Sequence, residues 1–532
     1  MDWTVDSNFI RDRVDCYEVV VGENEPKKPD MVKFKNYEKA IDMLHRHITS
    51  DKVSLIVMHA DVDMDGVGCA YIMNTFIRGK SENCRCKACI NKDKVHGVSE
   101  KHINYFNNQN PSLVIIMDSS SNALETIESL NCDVLVIDHH ELNHDRLVGK
   151  TVGGEYVIVN NVVDNGEDYK AEIRMSGALV TYEILRQYQS KFESDNFLED
   201  KMLYQWVGVT LLTDAILTGN ERNQWYMNKT VHSVDTEAGL NTMMNKINKY
   251  ALSLDKTFIN YKLAPVFNRA IRGGGSAKAL NIALNEQSEI DELDVYKQMQ
   301  DSITDRVMYT LTGEVRSGVE EIKEVDIIEK EDYCVCKLDD EIPRAYAGLV
   351  ATKILGLKSK NSIAGKIEDG IINGSFRGKA DNIDYRGIAL KHGFFAEGHH
   401  NAFGIKVPLD KLDELMTEMN SIKVDNKPYL TAGFMLDEYK GKYHVNNLDE
   451  FKKAGMLIRL ALANSSLSTK ESINIVIANP FDLKPTYVHE KFREYNIMGL
   501  ECVCFEELKT EFLNIYVEFD REFKAYVKNR WS

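Results

Sequence analysis

No uncharged apolar run in the 532-residue sequence approaches a bilayer span, so a membrane-crossing helix is not expected. The opening MDWTVDSNFIRDRVD carries acidic residues and no apolar h-region, which argues against a secretory leader and places the expected location in the cytoplasm. The ten cysteines sit mostly singly or in strand-like runs (Cys132, Cys334, Cys336, Cys502, Cys504), so no disulfide framework is expected. Internal repeats and low-complexity tracts are missing too, which excludes solenoids and biased linkers. Positive charge is short: 65 Lys and Arg against 82 Asp and Glu give a net charge of −17, an awkward balance for contacting phosphates.

What is present is the composition of an ordinary globular protein, with 43% hydrophobic and 28% charged residues. The length exceeds what one core usually serves, so two large lobes and a small third unit are expected. From Ser54 to Asp214 short apolar strands alternate with helical stretches: SLIVMH, GVGCAYIMNTFIR, LVIIMD, a helix from about Asn122, then VLVID. That alternation reads as a parallel α/β sheet, whose ligand crevice lies at the carboxyl ends of its strands. VIVNN follows, then the helical SGALVTYEILRQYQ and a second helical segment reaching LLTDA.

Chemistry-bearing residues fall where that crevice is expected. His59, Asp61, Asp63, Asp65 and Gly66 follow the first strand, Asp118 follows LVIIM, Asp138, His139 and His140 follow VLVI, and Asp214 follows TLLT, itself read as strand-like. A lone strand-end Asp is often only a cap or turn residue. Four such groups in order predict a metal site, and a mixture of carboxylate and imidazole suits manganese or a similar borderline cation. Two ions bridged by one carboxylate would clamp both oxygens of an in-line phosphoryl displacement.

Outside that set, Cys84, Cys86 and Cys89 lie in NCRCKAC, read as a loop between the first two groups. It would bind zinc only if His96 or His102 supplied a fourth ligand, because a CxCxxC run without a second CxxC is not a standard zinc pattern. From Arg344 to Lys406, ten Lys or Arg stand against five Asp or Glu, a local balance of +5 and a candidate phosphate-facing surface.

At the four acidic and histidine groups the sequence resembles the DHH phosphoesterases, whose motifs map in order onto His59 to Gly66, Asp118, Asp138 to His140, and Asp214. The resemblance implies that His59, Asp63 and Asp118 hold one metal ion, while Asp65, Asp118, His139 and Asp214 hold a second. It makes His140 the catalytic residue facing the scissile phosphate and Asp138 the carboxylate that orients the histidine pair. Mn²⁺ is the expected ion, with Mg²⁺ as the alternative.

A second unit is similar to the DHH-associated domain. Its GGGHxxAxG motif appears as Ala396-Glu397-Gly398-His399-His400-Asn401-Ala402-Phe403-Gly404, with two glycines replaced. Gly374-Ser375-Phe376-Arg377 resembles that domain's GSxR strand. Three stretches resemble RecJ-type exonucleases: TDAILTGNERNQW, APVFNRAIRGGG with Asn268 and Arg272, and AGLVATKIL. Ser375, Arg377, His399, Asn268 and Arg272 are then the expected substrate-binding residues. HxxxDxD is the form seen in the family's oligonucleotide hydrolases and DxDxDG the RecJ form; the residues from His59 to Gly66 satisfy both.

The expectation is therefore a two-lobe α/β fold. A DHH domain covers 1–250, a connecting helical segment 251–340, a DHH-associated domain 341–420, and an extension 421–532 forms a candidate nucleic-acid-binding domain. The expected activity is a two-metal, RecJ-like 5′ to 3′ exonuclease releasing mononucleotides from single-stranded DNA, with repair or replication proteins as candidate partners and no membrane. The rival readings are a phosphodiesterase for short oligonucleotides or cyclic dinucleotides and a catalytically silent repair or replication subunit. Phe376, Phe394 and Phe403 are expected to pack rather than stack on bases.

Overall fold

The computed structural model describes residues 26–89, 97–166, 169–171, 175–214, 216, 220–232, 258–284, 290–314, 322–379 and 383–422. Toward the C-terminus it describes 473–478, 484–489, 492–497, 500–505, 507–508, 512–519 and 523–529. The chain divides into two compact units, each drawn from separate stretches. One comprises Asp42–Val159 with Lys262–Asn426, and the other Met1–Ile41, Asn160–Tyr261 and Lys427–Ser532.

In the first of these, β1 (Ser54–Ala60), β2 (Cys84–Cys89), β3 (Leu113–Met117), β4 (Asp133–Asp138), β5 (Val148–Lys150) and β6 (Glu155–Asn160) form a sheet in the order β2-β1-β3-β4-β6-β5. β1, β2, β3 and β4 run parallel. Their residues explain why. β3 is buried at all five positions and β4 at all but its first, the signature of strands covered on both faces. Parallel alignment brings the carboxyl ends of β1, β3 and β4 to one edge, where their polar residues collect.

NCRCKAC is not a loop: Cys84–Cys89 is strand β2, in register with β1 from Ser54↔Cys84 to His59↔Cys89. Cys84 is buried and its thiol donates toward the carbonyls of His47 and Ile48. Burial pushes the Cys86 thiol up to about 12, so it is protonated in the metal-free protein. His96 and the Cys89 side chain lie outside the described residues.

The second sheet, β7 (Asp326–Glu329), β8 (Tyr333–Lys337), β9 (Asn361–Glu368), β10 (Ile371–Arg377), β11 (Phe395–His399) and β12 (Ala402–Pro408), has the order β11-β12-β10-β9-β8-β7. It is antiparallel except for β8 with β9. Strand alternation sends Tyr333 and Val335 into a core with Phe376, Phe403, Leu415 and Met416, and Cys334 and Cys336 into another with Val307, Val350 and Ile354. These cysteines serve as small apolar packing. Phe376 and Phe403 are buried and stacked 4.9 Å apart, with Phe394 packed against the same core, so packing accounts for all three. The helix Leu293–Thr312 precedes this sheet in the chain.

The third sheet lies in the other unit and comprises β13 (Ile473–Ala478), β14 (Tyr487–Val488), β15 (Arg493–Ile497), β16 (Leu500–Cys504), β17 (Phe512–Phe519) and β18 (Phe523–Asn529). Its order is β13-β17-β18-β16-β15-β14, antiparallel except for β16 with β18. The strand order from β15 through β17, with its one parallel pair, is that of strands two to five in the five-stranded Greek-key oligonucleotide-binding fold. The same unit contains the helix Tyr204–Thr213, as expected of the helical segment reaching LLTDA; TLLT closes that helix rather than a strand, and Asp214 is its C-terminal cap. Among the described residues no helix is long and apolar enough to cross a membrane.

Candidate active site

Asp63 begins the site. It caps the helix Met64–Lys80, its Oδ1 accepting the N–H groups of Asp65 and Gly66 at 3.0 Å each. Gly66 is required there, because a Cβ would stand 2.3 Å from the carbonyl oxygen of Asp61. That close approach folds Asp61, Asp63 and Asp65 back over the end of β1.

Asp118 leaves β3 with φ 60, a left-handed conformation that costs a non-glycine residue about 1–3 kcal/mol. Its carboxylate is buried and, among the described residues, neither oxygen receives a hydrogen bond, although His139 Nε2 stands 3.0 Å from Oδ1. Burial, then the negative charges of Asp65 and Asp63, push its pKa well above the usual carboxylate range. One oxygen each from Asp61, Asp63 and Asp118 lies within 4.8 Å of the others, and Asp118, His139 and His140 form a second such group. His139 Nε2 also reaches to 3.8 Å from Asp65 Oδ2.

Asp138, buried at the end of β4, accepts hydrogen bonds from the backbone N–H groups of His139, His140 and Ser121 and from His140 Nδ1 at 2.8 Å. Burial opposes its ionisation, but the His140 bond and the two histidine charges hold its pKa well below the usual range. His140 is thereby fixed by one nitrogen while its side chain stays 56% exposed.

His59 lies on β1, buried, edge-on to His102 at 5.2 Å between ring centroids. Among the described residues neither of its ring nitrogens has a hydrogen-bond partner, and burial, with His102 adding, drives its pKa down to about 3. A neutral imidazole with two bare nitrogens and a buried carboxylate with two bare oxygens fit a divalent cation better than they fit a sealed core. The donor set, carboxylates with imidazole, matches the borderline cations expected. Asp61 was not among the expected ligands, yet it belongs to the acidic group; the DxDxDG pattern was the signal for it. Asp214 caps its helix in the other unit.

The expected substrate-binding residues fall on two elements and a hairpin. Asn268 and Arg272 share the helix Ala264–Gly274, while Ser375 and Arg377 share β10. Burial and the nearby Arg272 charge lower the Arg377 pKa to about 10, and burial, with Arg269, lowers that of Arg272. Their bonds go to neutral groups: Arg377 Nη1 donates to the Phe376 carbonyl at 2.7 Å and Arg272 Nη1 to Gln300 at 3.1 Å. Gly348 makes room for Arg377, since a Cβ there would meet Arg377 Nη2 at 2.5 Å. Among the described residues, then, two largely desolvated guanidinium groups bond to neutral acceptors. His399 ends β11, paired with Ala402; its side chain lies outside the described residues.

The basic stretch is less free than its charge count implies. Lys358 and Lys360 both pair with Glu329, and Lys366 with Asp340. The third sheet, by contrast, carries an open row of rings on its β14–β15 hairpin, the end of β16, and β18. His489 stacks on Phe492 at 4.8 Å, Phe492 meets Tyr487 and Phe505 at 6.2 and 6.5 Å, and Phe505 stacks on Tyr526 at 6.1 Å. Phe505 is 69% exposed.

A sequence model of the DHH family, N-terminal domain, matches residues 54–209. A protein of the SPbeta prophage in Bacillus subtilis (strain 168), named as a single-strand DNA-specific exonuclease, is 24% identical over 413 residues, 71% of this chain and 67% of that protein. Its counterpart in Bacillus phage SPbeta matches equally. Among solved structures, RecJ from Thermus thermophilus in complex with Mn²⁺ is similar with a TM-score of 0.67 at 14% identity, over 96% of this chain and 74% of that one. A manganese-bound exonuclease RecJ gives a TM-score of 0.56 at 16% identity, over 76% of this chain and 100% of that one.

Proposed function

Because the chain is a DHH-superfamily protein of RecJ-like build, we propose that it is a two-metal phosphodiesterase that degrades single-stranded DNA from the 5′ end and releases mononucleotides. The observation that carries the chemistry is the buried, hydrogen-bond-starved Asp118 amid Asp61, Asp63, Asp65 and His139. These residues, with His59, would hold the ions, Mn²⁺ in preference to Mg²⁺. Such ions supply Lewis acidity at the phosphoryl oxygens and make water nucleophilic at neutral pH.

The protein's own groups do the rest. Asp138 holds His140 by Nδ1, so that the ring in its imidazolium form, which the adjacent carboxylate favours, can donate Nε2–H to a phosphate oxygen and pass that proton to the leaving oxygen, becoming neutral imidazole. Arg377 and Arg272 supply an anion seat, with Ser375 beside Arg377 in sequence on β10 and Asn268 one helical turn from Arg272. The rings from Tyr487 to Tyr526 offer stacking surfaces that tolerate any base.

A second reading, hydrolysis of short oligonucleotides, gains support from the lysines neutralised by Glu329 and Asp340, which shrink the surface available to a long backbone. Single strands of graded length, tested beside dinucleotides and cyclic dinucleotides with Mn²⁺ present, separate the two. The exonuclease reading requires turnover and affinity to rise with length over several nucleotides and affinity to fall with salt. Fast cleavage of dinucleotides with long strands inert would replace it by the second.

A further inference from the structure

We propose that His144 is a positioning residue of the metal centre, tying the loop that carries Asp118 to the loop that carries His139 and His140. The inference rests on reading those side chains as metal ligands. His144 Nε2 donates to the Ser121 carbonyl at 2.8 Å. Ser121 is buried, and its own N–H donates to Asp138 Oδ2 at 3.0 Å. The other oxygen of Asp138 gathers the backbone N–H of His139 and both donors of His140. A continuous path therefore runs from the His144 ring through the backbone of one residue, Ser121, to the carboxylate that orients the histidine pair.

Two flanking bonds close the same seam: Asn122 Nδ2 donates to the Glu141 carbonyl at 2.8 Å, and Asn143 N–H to Asn122 Oδ1 at 2.9 Å. The loop so fastened leaves β3 with left-handed backbone at both Asp118 and Ser120. Such a conformation persists only where the surroundings over-determine it. The second nitrogen of His144, Nδ1, is buried without a hydrogen-bond partner among the described residues, so the ring's polar role is the single bond to Ser121. The 3.0 Å approach of His139 to Asp118 across adjacent strand ends is what that bond sets.

The test pairs His144→Phe, which keeps a ring without the donor, with His144→Gln, which keeps an N–H donor without the ring. Mn²⁺ uptake by the metal-free full chain is followed by the paramagnetic resonance of free Mn²⁺, alongside thermal melting and kcat and KM on a single strand. The Phe variant should bind Mn²⁺ about 10–100-fold more weakly and lose kcat with KM unchanged, as removal of an outer partner of a ligand does, while the Gln variant stays near wild type. A Phe variant with wild-type uptake, or a Gln variant as impaired as the Phe variant, overturns the proposal. Wild-type protein that takes up no Mn²⁺ at all overturns the metal reading beneath it, an outcome distinct from either.

Discussion

His139, at the end of β4, places Nε2 3.0 Å from Oδ1 of Asp118, at the end of the neighbouring parallel strand β3. The pair couples the two innermost strands of the sheet at its reactive edge. His139→Ala or Asp65→Ala should therefore reduce hydrolysis by at least about 100-fold while leaving the fold intact, since direct ligands matter no less than the groups that orient them. Far-ultraviolet dichroism and melting check the fold, and turnover under limiting Mn²⁺ checks the site. Near wild-type turnover in either variant would remove it from the ligand set.

Asp118 gives a pH-dependent prediction. Its pKa in the metal-free protein is raised from an ordinary 3.8, so the folded state holds a proton that the unfolded chain releases. The associated stability is full below the unfolded pKa and is lost as pH rises through the folded value. Metal-free Asp118→Asn should melt higher than metal-free wild type at neutral pH, and the difference should vanish in acid. The wild type should also release protons on taking up Mn²⁺ and bind it more tightly as pH rises. Equal melting of the two metal-free proteins across this range would contradict the assignment.

Much of this site was legible because β1, β3 and β4 are apolar on both faces and end in acidic or histidine residues. That pattern has few interpretations besides a buried parallel sheet with chemistry at its edge. Asp61 escaped because the segment from His59 to Gly66 satisfies two ligand patterns, and only the fold-back at Gly66 brings Asp61 beside Asp63 and Asp118. The bond from His144 to Ser121 joins loops after different strands, a pairing with no local sequence signature. The β13, β16 and β17 segments were readable as strands, but their order depends on long-range pairing such as β16 with β18. The segment Cys84–Cys89 was read as a loop because its strand character comes from pairing with β1, not from an apolar run of its own.

A stability prediction comes from the other unit. Glu183 is wholly buried and accepts bonds from Tyr226 Oη at 2.6 Å, Arg186 Nη1 at 2.9 Å and Val32 N–H at 3.2 Å. Arg186 in turn donates to the Pro29 carbonyl, which fastens the segment from Pro29 to Val32. Glu183→Ala strands a buried guanidinium and should lower stability by about 3–5 kcal/mol. Urea denaturation measures it, and a change under about 1 kcal/mol would show that Arg186 finds another partner or reaches water.

For the anion seat, Arg377→Ala and Arg272→Ala should each weaken single-strand binding roughly 10–100-fold, as charged hydrogen bonds of about 1.5–3 kcal/mol imply. The slope of affinity against salt should fall as well. Arg377→Lys should not restore binding, because a point charge cannot reproduce the planar fork. Mn²⁺ uptake should be unchanged in all three. Loss of Mn²⁺ binding with strand affinity intact would reassign both arginines to the support of the metal centre.

The central claim, attack from the 5′ end of a single strand, is tested most directly by one digestion with the label at either end. Strands of a few tens of nucleotides are incubated with full-length protein and Mn²⁺, and the products are resolved by length over time. A 5′ label should appear at once as mononucleotide, while a 3′-labelled strand shortens progressively; blunt duplexes should resist and chelator should stop both. Immediate mononucleotide from the 3′ label, or internal fragments from either, would contradict the account.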